Sequence, residues 1–346
     1  MTALAWGGFL LFVFAVLAVD LFVLNKEAHT VSVKEAFGFT AVLVVLAIGF
    51  SALVYVGYDH HWLGLGKSID AVDGKLNDGR LAAVKFLTGY LIELSLSTDN
   101  VFVIALIFQH LRIPSQYQHR TLFWGVLGAL VMRGALILVG AQLVARYHWI
   151  LYLFGAFLVY TAIKLFFQKD AAEEPDETAM VGWIRRFFPV SSELRGDHFT
   201  LRIDGKLFLT PIAVALILVE TTDLVFALDS IPAIFAITAD PFLVFTSNVF
   251  AILGLRSLYF ALAGAMDKFR YLKVSLSVIL GVVGLKMLLA DLLKEQMGPN
   301  ANLYLLGLVF AILLAGIIAS AVTDATSKRA EAESAAKGSD APPNMP

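Results

Sequence analysis

Nine apolar stretches run along the chain, at about 4–24, 39–57, 84–108, 121–144, 150–167, 209–237, 241–264, 273–293 and 302–323. None alternates apolar and polar with a period of two, as the spans of a membrane barrel do. Roughly 20 apolar residues carry a helix across a bilayer. The pattern therefore predicts an all-α polytopic membrane protein with nine transmembrane helices. It divides the chain into a two-helix segment at 1–57, an outer loop at 58–83, three helices at 84–167 and a loop at 168–208. Three further helices follow at 209–293, a last helix at 294–324 and a tail at 325–346. The first run opens MTALAW, without basic residues, so it reads as a retained helix and not as a signal peptide.

Within the loop 168–208 the first half is acidic, with Glu173, Glu174, Asp176 and Glu177. The second half, HFTLRIDGKLFLTP, predicts two short strands turning at Asp204–Gly205. The tail, AEAESAAKGSDAPPNMP, has the composition of a segment without fixed structure.

Composition agrees with the pattern. Only 16% of the 346 residues are Asp, Glu, Lys or Arg, against about 25% in a soluble domain. That excludes an ordinary soluble enzyme. A net charge of −2 gives no footprint for nucleic acid. The chain has no cysteine, which excludes disulfide, zinc-thiolate and iron–sulfur chemistry by its own residues. With the N-terminus outside, the inner segments hold 16 Lys and Arg and the outer loops 5. Positive loops lie on the cytoplasmic side, so the expectation is an inner-membrane, multi-pass protein with its N-terminus out and C-terminus in.

Charged residues inside the apolar runs repeat. Ser97-Thr98-Asp99-Asn100-Val101-Phe102 matches Thr221-Thr222-Asp223-Leu224-Val225-Phe226. Asp99 to Arg133 spans 34 residues and Asp223 to Arg256 spans 33; Arg133 to Lys164 spans 31 and Arg256 to Lys286 spans 30. The third to fifth runs thus repeat in the sixth to eighth. A unit with an odd number of spans enters its second copy from the opposite side, so the repeat is inverted. Secondary transporters use that architecture, with the site at the midplane between the repeats.

A charge at the bilayer centre costs about 2.5–3.5 kcal/mol on insertion scales. This chain carries Asp20, Glu93, Asp99, Glu220, Asp223 and Asp229 against Arg133, Arg256, Lys164 and Lys286. Such residues must face protein or a wet cavity. Glu93, Ser97 and Asn100 share one helix face, and Glu220 and Asp223 are i, i+3 neighbours. Asp229 lies nine residues from Glu220, on the opposite side of a straight helix. Pro232 removes an N–H that the Leu228 carbonyl needs, so a break at Asp229–Pro232 is expected to turn Asp229 inward. The seven histidines all lie in loops or at helix ends. Oxygen donors without sulfur or imidazole suit Mg²⁺, Ca²⁺ and Mn²⁺; Na⁺ and H⁺ stay open. The bland readings are that Asp99–Arg133 and Asp223–Arg256 are structural ion pairs and that Lys164 and Lys286 snorkel from helix ends. Thr98 and Thr222 can bond back to their own helices. Asn248 is either an amide ligand or interhelical glue. Asp20 sits near an interface, and Asp70, Asp73 and Asp78 read as a solvated acidic loop.

At these residues the sequence resembles the TerC family of integral membrane proteins, of the TerC/Alx type. The resemblance lies in GYLIELSLSTDNVFVIALIF (89–108), FWGVLGALVMRGALILVGA (123–141), TPIAVALILVETTDLVFALDSIPAIFAIT (210–238) and DPFLVFTSNVFAILGLRSLYFALA (240–263). It implies a bacterial inner-membrane protein linked by family name to tellurium resistance, and to metal homeostasis through Mn²⁺ efflux, near the LysE-type exporters. Carried onto this chain, it makes Glu93, Asp99, Asn100, Glu220, Asp223 and Asp229 the ion-path residues. Thr98, Thr222, Arg133, Arg256, Asn248 and Asp20 would support them. The expected function is proton-coupled export of a divalent cation, most plainly Mn²⁺, with no permanently bound cofactor, no enzyme activity and the bilayer as its setting. The alternative is a membrane anchor for cytoplasmic stress-response partners.

Overall fold

A computed structural model describes residues 3–19, 33–167, 177–191, 196, 198–203, 205–262, 272–290 and 300–339. The elements are α1 (Ala3–Val19), α2 (Val33–Asp59), α3 (Gly79–His110), α4 (Ser115–Arg146), α5 (Ile150–Phe167) and α6 (Glu177–Phe187). There follow β1 (Thr200–Ile203), β2 (Lys206–Leu209), α7 (Pro211–Phe235), α8 (Pro241–Leu262), α9 (Leu272–Leu288) and α10 (Ala301–Ser339). Seven of the described helices, α2, α3, α4, α5, α7, α8 and α10, are long and apolar enough to cross a membrane. Helices α1 and α9, at 17 residues each, fall short of that length over their described parts.

Helix starts follow local chemistry. Asp78 caps α3 by accepting from the Leu81 N–H at 2.7 Å. Thr210-Pro211 and Asp240-Pro241 open α7 and α8: the cap oxygen takes an orphan N–H, and proline fills a position whose N–H has no partner anyway.

The bundle is built around α8, whose membrane-length window is 94% buried, against 22% for α2 and α10. Helices α2, α3 and α4 pack on α8, α5 packs on α9, and α10 covers α3 and α9. The polar residues of α8 tolerate this burial because Thr246, Ser247 and Ser257 donate to carbonyls of their own helix. Exchanging α3, α4 and α5 with α7, α8 and α9 maps the main contacts onto themselves. The pair α3–α8 becomes α7–α4, while α3–α7, α4–α8 and α5–α9 return to themselves. Helices α5 and α9 cross at Gly155 and Gly284, so closely that a Cβ on Gly284 would lie 2.9 Å from the Gly155 carbonyl oxygen.

Three features depart from the sequence reading. Helix α7 runs unbroken through Pro232. Beyond the hairpin, which forms as expected with Ile203 opposite Lys206, the loop contains α6. Its 11 residues are too short and mixed to show as an apolar run. And α10 continues helical to Ser339, because Ala, Glu and Lys after residue 325 are strong helix formers despite their polarity.

Candidate functional site

Four helices converge on Arg133, midway along α4. Its guanidinium grips Asp223 of α7 with two parallel bonds, Nε to Oδ2 at 3.0 Å and Nη2 to Oδ1 at 2.7 Å. Nη1 donates to Oε1 of Glu93 on α3. The same nitrogen also reaches Ser230 Oγ of α7 at 3.4 Å and Asn248 Oδ1 of α8 at 3.3 Å. Asn100 of α3 donates to Asp223 Oδ1 at 3.4 Å. Glu93, Arg133, Asp223, Asn100 and Asn248 are all buried. Arginine suits the place: its rigid fork matches a carboxylate bidentately, and it does not lose its proton.

Two oxygens here lack a partner among the described residues, Oε2 of Glu93 and Oδ1 of Asn100, as does Nδ2 of Asn248. Buried polar atoms without partners are rare and call for an explanation. Glu93 and Asn100 line a cavity of about 90 Å³ together with Arg133, Thr161, Asp229 and Ser230. At about 30 Å³ per water in the liquid, it admits an ion with a few waters. With both carboxylates ionised, Glu93, Asp223 and Arg133 carry one negative charge in excess.

The described pairing joins the two halves of the repeat. Among the described side chains Arg133 bonds Glu93 and Asp223, so one ion pair crosses between the two three-helix units. The side chain of Asp99 lies outside the described structure, as does Asp20. Arg256 is buried in α8. Asp229 needs no helix break to reach the cavity. On an unbroken α7 the half-turn between Glu220 and Asp229 sends them to different neighbours. Asp229 faces Thr161 and Lys164 of α5, and the Glu220 carboxylate lies against Gly128 of α4, where any Cβ would overlap it. Thr98 and Thr222 give their hydroxyl protons to Leu94 and Leu218 of their own helices. Among the described residues no three His, Cys, Asp or Glu side chains gather as a metal cluster: Arg133 occupies the space between the acids.

A second buried network escaped the sequence reading. Lys85 of α3 donates to Asp70 Oδ2 at 2.9 Å and Asn77 Oδ1 at 2.7 Å, and pairs with Asp73 at 2.8 Å. Asp70 also accepts from Thr238 and from the Ala239 N–H. Tyr58 donates to Asp240 at 3.0 Å. Asp70 is therefore not a solvated loop acid: it staples the 60–78 loop onto the α7–α8 junction. Burial pushes its carboxyl up, but the Lys85 ammonium and these bonds outweigh that and hold it below its ordinary value. Burial pushes Asp240 up; the Tyr58 hydroxyl opposes this, Asp70 adds repulsion, and the carboxyl stays raised. Lys286 does not snorkel either. It joins helices, donating to the Ala236 carbonyl at 3.0 Å and Asn302 Oδ1 at 2.9 Å. The available signal was Lys85 itself, a lysine inside an apolar run that follows a loop with three aspartates.

A bundle of membrane-length helices with an acid–arginine–acid cluster sealed among them defines a polytopic integral membrane protein. The pattern described as "Integral membrane protein TerC family" matches residues 79–328, and the chain belongs to that family. It is 48% identical over 316 residues to "Uncharacterized membrane protein STKORF319" of Myxococcus xanthus, covering 91% of this chain and 92% of that one. It is 41% identical over 321 residues to "Putative membrane-bound redox modulator Alx" of Escherichia coli K12, covering 92% and 95%. An "Uncharacterized membrane protein" of Rickettsia bellii is 35% identical over 319 residues, covering 92% and 97%. No solved structure matches the chain.

Proposed function

We propose that this protein exports a divalent cation, Mn²⁺ foremost, from the cell through the Glu93–Asp223 cluster, in exchange for protons. The observation that carries the reading is Arg133 held between two buried carboxylates, beside a cavity where one oxygen each of Glu93 and Asn100 has no partner among the described residues. Arg133 acts as a tethered cation that fills the place of the cargo. When the ion arrives it takes the carboxylate oxygens, and the guanidinium gives them up for the Ser230 and Asn248 oxygens it already touches. A site with a resident positive charge is never left as bare buried carboxylates, which would cost several kcal/mol each. Carboxylate ligands release metal on protonation, so a proton gradient can drive the cycle, with Glu220 and Asp229 as further carboxylates along the same helix. Oxygen donors fit Mn²⁺, Mg²⁺ or Ca²⁺.

The relatives named for redox modulation are compatible with this reading. A chain without cysteine has no thiol–disulfide exchange of its own, and an exporter changes cellular redox chemistry through the metal it removes. The test compares total cell manganese with and without the gene, beside an Asp99→Asn/Asp223→Asn double variant checked for membrane insertion. The gene is expected to lower manganese and the double variant not to. Unchanged manganese in both would overturn Mn²⁺ as the cargo. A variant as active as the parent would move function away from these acids, toward the anchor reading.

A further inference from the structure

Helix α6 has apolar residues on two faces, and only one is covered. Ile184 is buried and, with Val181, packs on the ends of the bundle helices. Trp183 and Phe187, one turn apart, pack at 4.9 Å between ring centroids with their planes tilted by 59° and stand exposed at 63% and 59%, with exposed Phe188 next in sequence. Three adjacent aromatic side chains make an apolar patch that water disfavours. The chain itself says where the nearest apolar phase lies. From Phe188 the backbone passes directly to Val190, which bridges to Leu209, and Leu209 immediately precedes the cap of membrane-length α7. The patch is thus tethered within one short hairpin of a bilayer-crossing helix. The charge on the C-terminal side of the patch is complementary to a lipid surface: Arg186, Arg202 and Lys206 are exposed, and residues 181–209 hold five Lys and Arg against three acids, whereas the acids of the loop gather ahead of the patch, five of them at 170–177.

We propose that the Trp183–Phe187–Phe188 face of α6 lies in the head-group region of the membrane, with the neighbouring arginines on anionic lipid. Trp is the residue most at home at that depth, and a basic amphipathic helix with aromatic anchors lies in the interface plane. Lying there, α6 rests against the bilayer beside the start of α7. The proposal does not depend on the nature of the cargo.

The native lack of cysteine makes the test direct. The full chain carrying Phe187→Cys takes a single nitroxide label and is reconstituted into vesicles of phosphatidylcholine alone or with phosphatidylglycerol. The label is expected to collide readily with oxygen and poorly with a water-soluble nickel complex, the more so with phosphatidylglycerol. In parallel, lipids brominated near the head-group end are expected to quench a component of the emission of the five tryptophans that Trp183→Phe removes. A label open to nickel in both vesicles, or shielded from both colliders, would overturn the proposal: the first places the face in water, free for a protein partner, and the second buries it against protein.

Discussion

Replacing Asp223 by Asn takes from the buried Arg133 guanidinium one of its two described carboxylate partners. Breaking a buried pair from one side costs about 3–5 kcal/mol, so Asp223→Asn is expected to unfold earlier in detergent by a readily measured margin. Neutralising all three members together, Glu93→Gln/Arg133→Leu/Asp223→Asn, removes the stranded charge and is expected to recover most of that stability while leaving metal transport in proteoliposomes absent. A triple variant that transports would refute the cluster as an ion site; one as unstable as Asp223→Asn would show that the partners matter through more than charge. The acids themselves were legible in the sequence, since charges inside apolar runs stand out by kind alone. Their partners were not. Spacing along the chain reports only neighbours within a unit, and the Arg133–Asp223 contact between units depends on how α4 packs on α7.

Among the elements, α4 and α7 owe their closeness partly to Gly128, which leaves room for the Glu220 carboxylate. Gly128→Ala is expected to change stability little, because the far end of a glutamate swings aside. It should nevertheless lower transport, because the carboxylate then leaves its place on α7. Equal loss in thermal stability and flux would instead mark Gly128 as a packing residue. At the α5–α9 crossing the neighbour is backbone, which does not yield. Gly284→Val is expected to cost about 1–3 kcal/mol, the usual range for overpacking, read by chemical denaturation in detergent. Element positions were the most readable part of the sequence: the run 150–167 coincides with α5. The misreadings share a cause. Pro232 signalled a break that packing on three sides overrode, and α6 carried its signal in an amphipathic pattern too short to stand out beside the transmembrane runs.

Over the whole molecule, the staple of Asp70, Lys85 and Asp240 gives stability a definite dependence on pH. Asp70, held below its ordinary value, stabilises the fold above the unfolded carboxyl pKa of about 3.9. That contribution is lost as the pH falls through the folded value. Asp240, raised, works the other way: its contribution is full at low pH and declines as the pH climbs through its elevated folded value. Melting temperature in detergent is therefore expected to fall on the acid side below about pH 4 and to slope downward on the other side. Asp240→Asn, which keeps the helix cap, should flatten only the second slope. A profile indifferent to that substitution would mean Asp240 does not titrate in the folded protein. None of this was visible in the sequence, where three aspartates in a polar loop look like surface.

The crossed grip of Arg133 also bears on how the protein is made. Arg133 and Asp223 are 90 residues apart, which at 5–20 residues per second is about 5–18 seconds of synthesis. During that interval the first three-helix unit is already in the lipid with a guanidinium still awaiting its second partner. The newborn half-chain therefore has reason to linger beside the insertion machinery until α7 arrives, and a chain terminated after α5 is a natural target for membrane proteases. Supplied as two separately translated pieces divided between α6 and β1, the halves have a strong electrostatic reason to find each other.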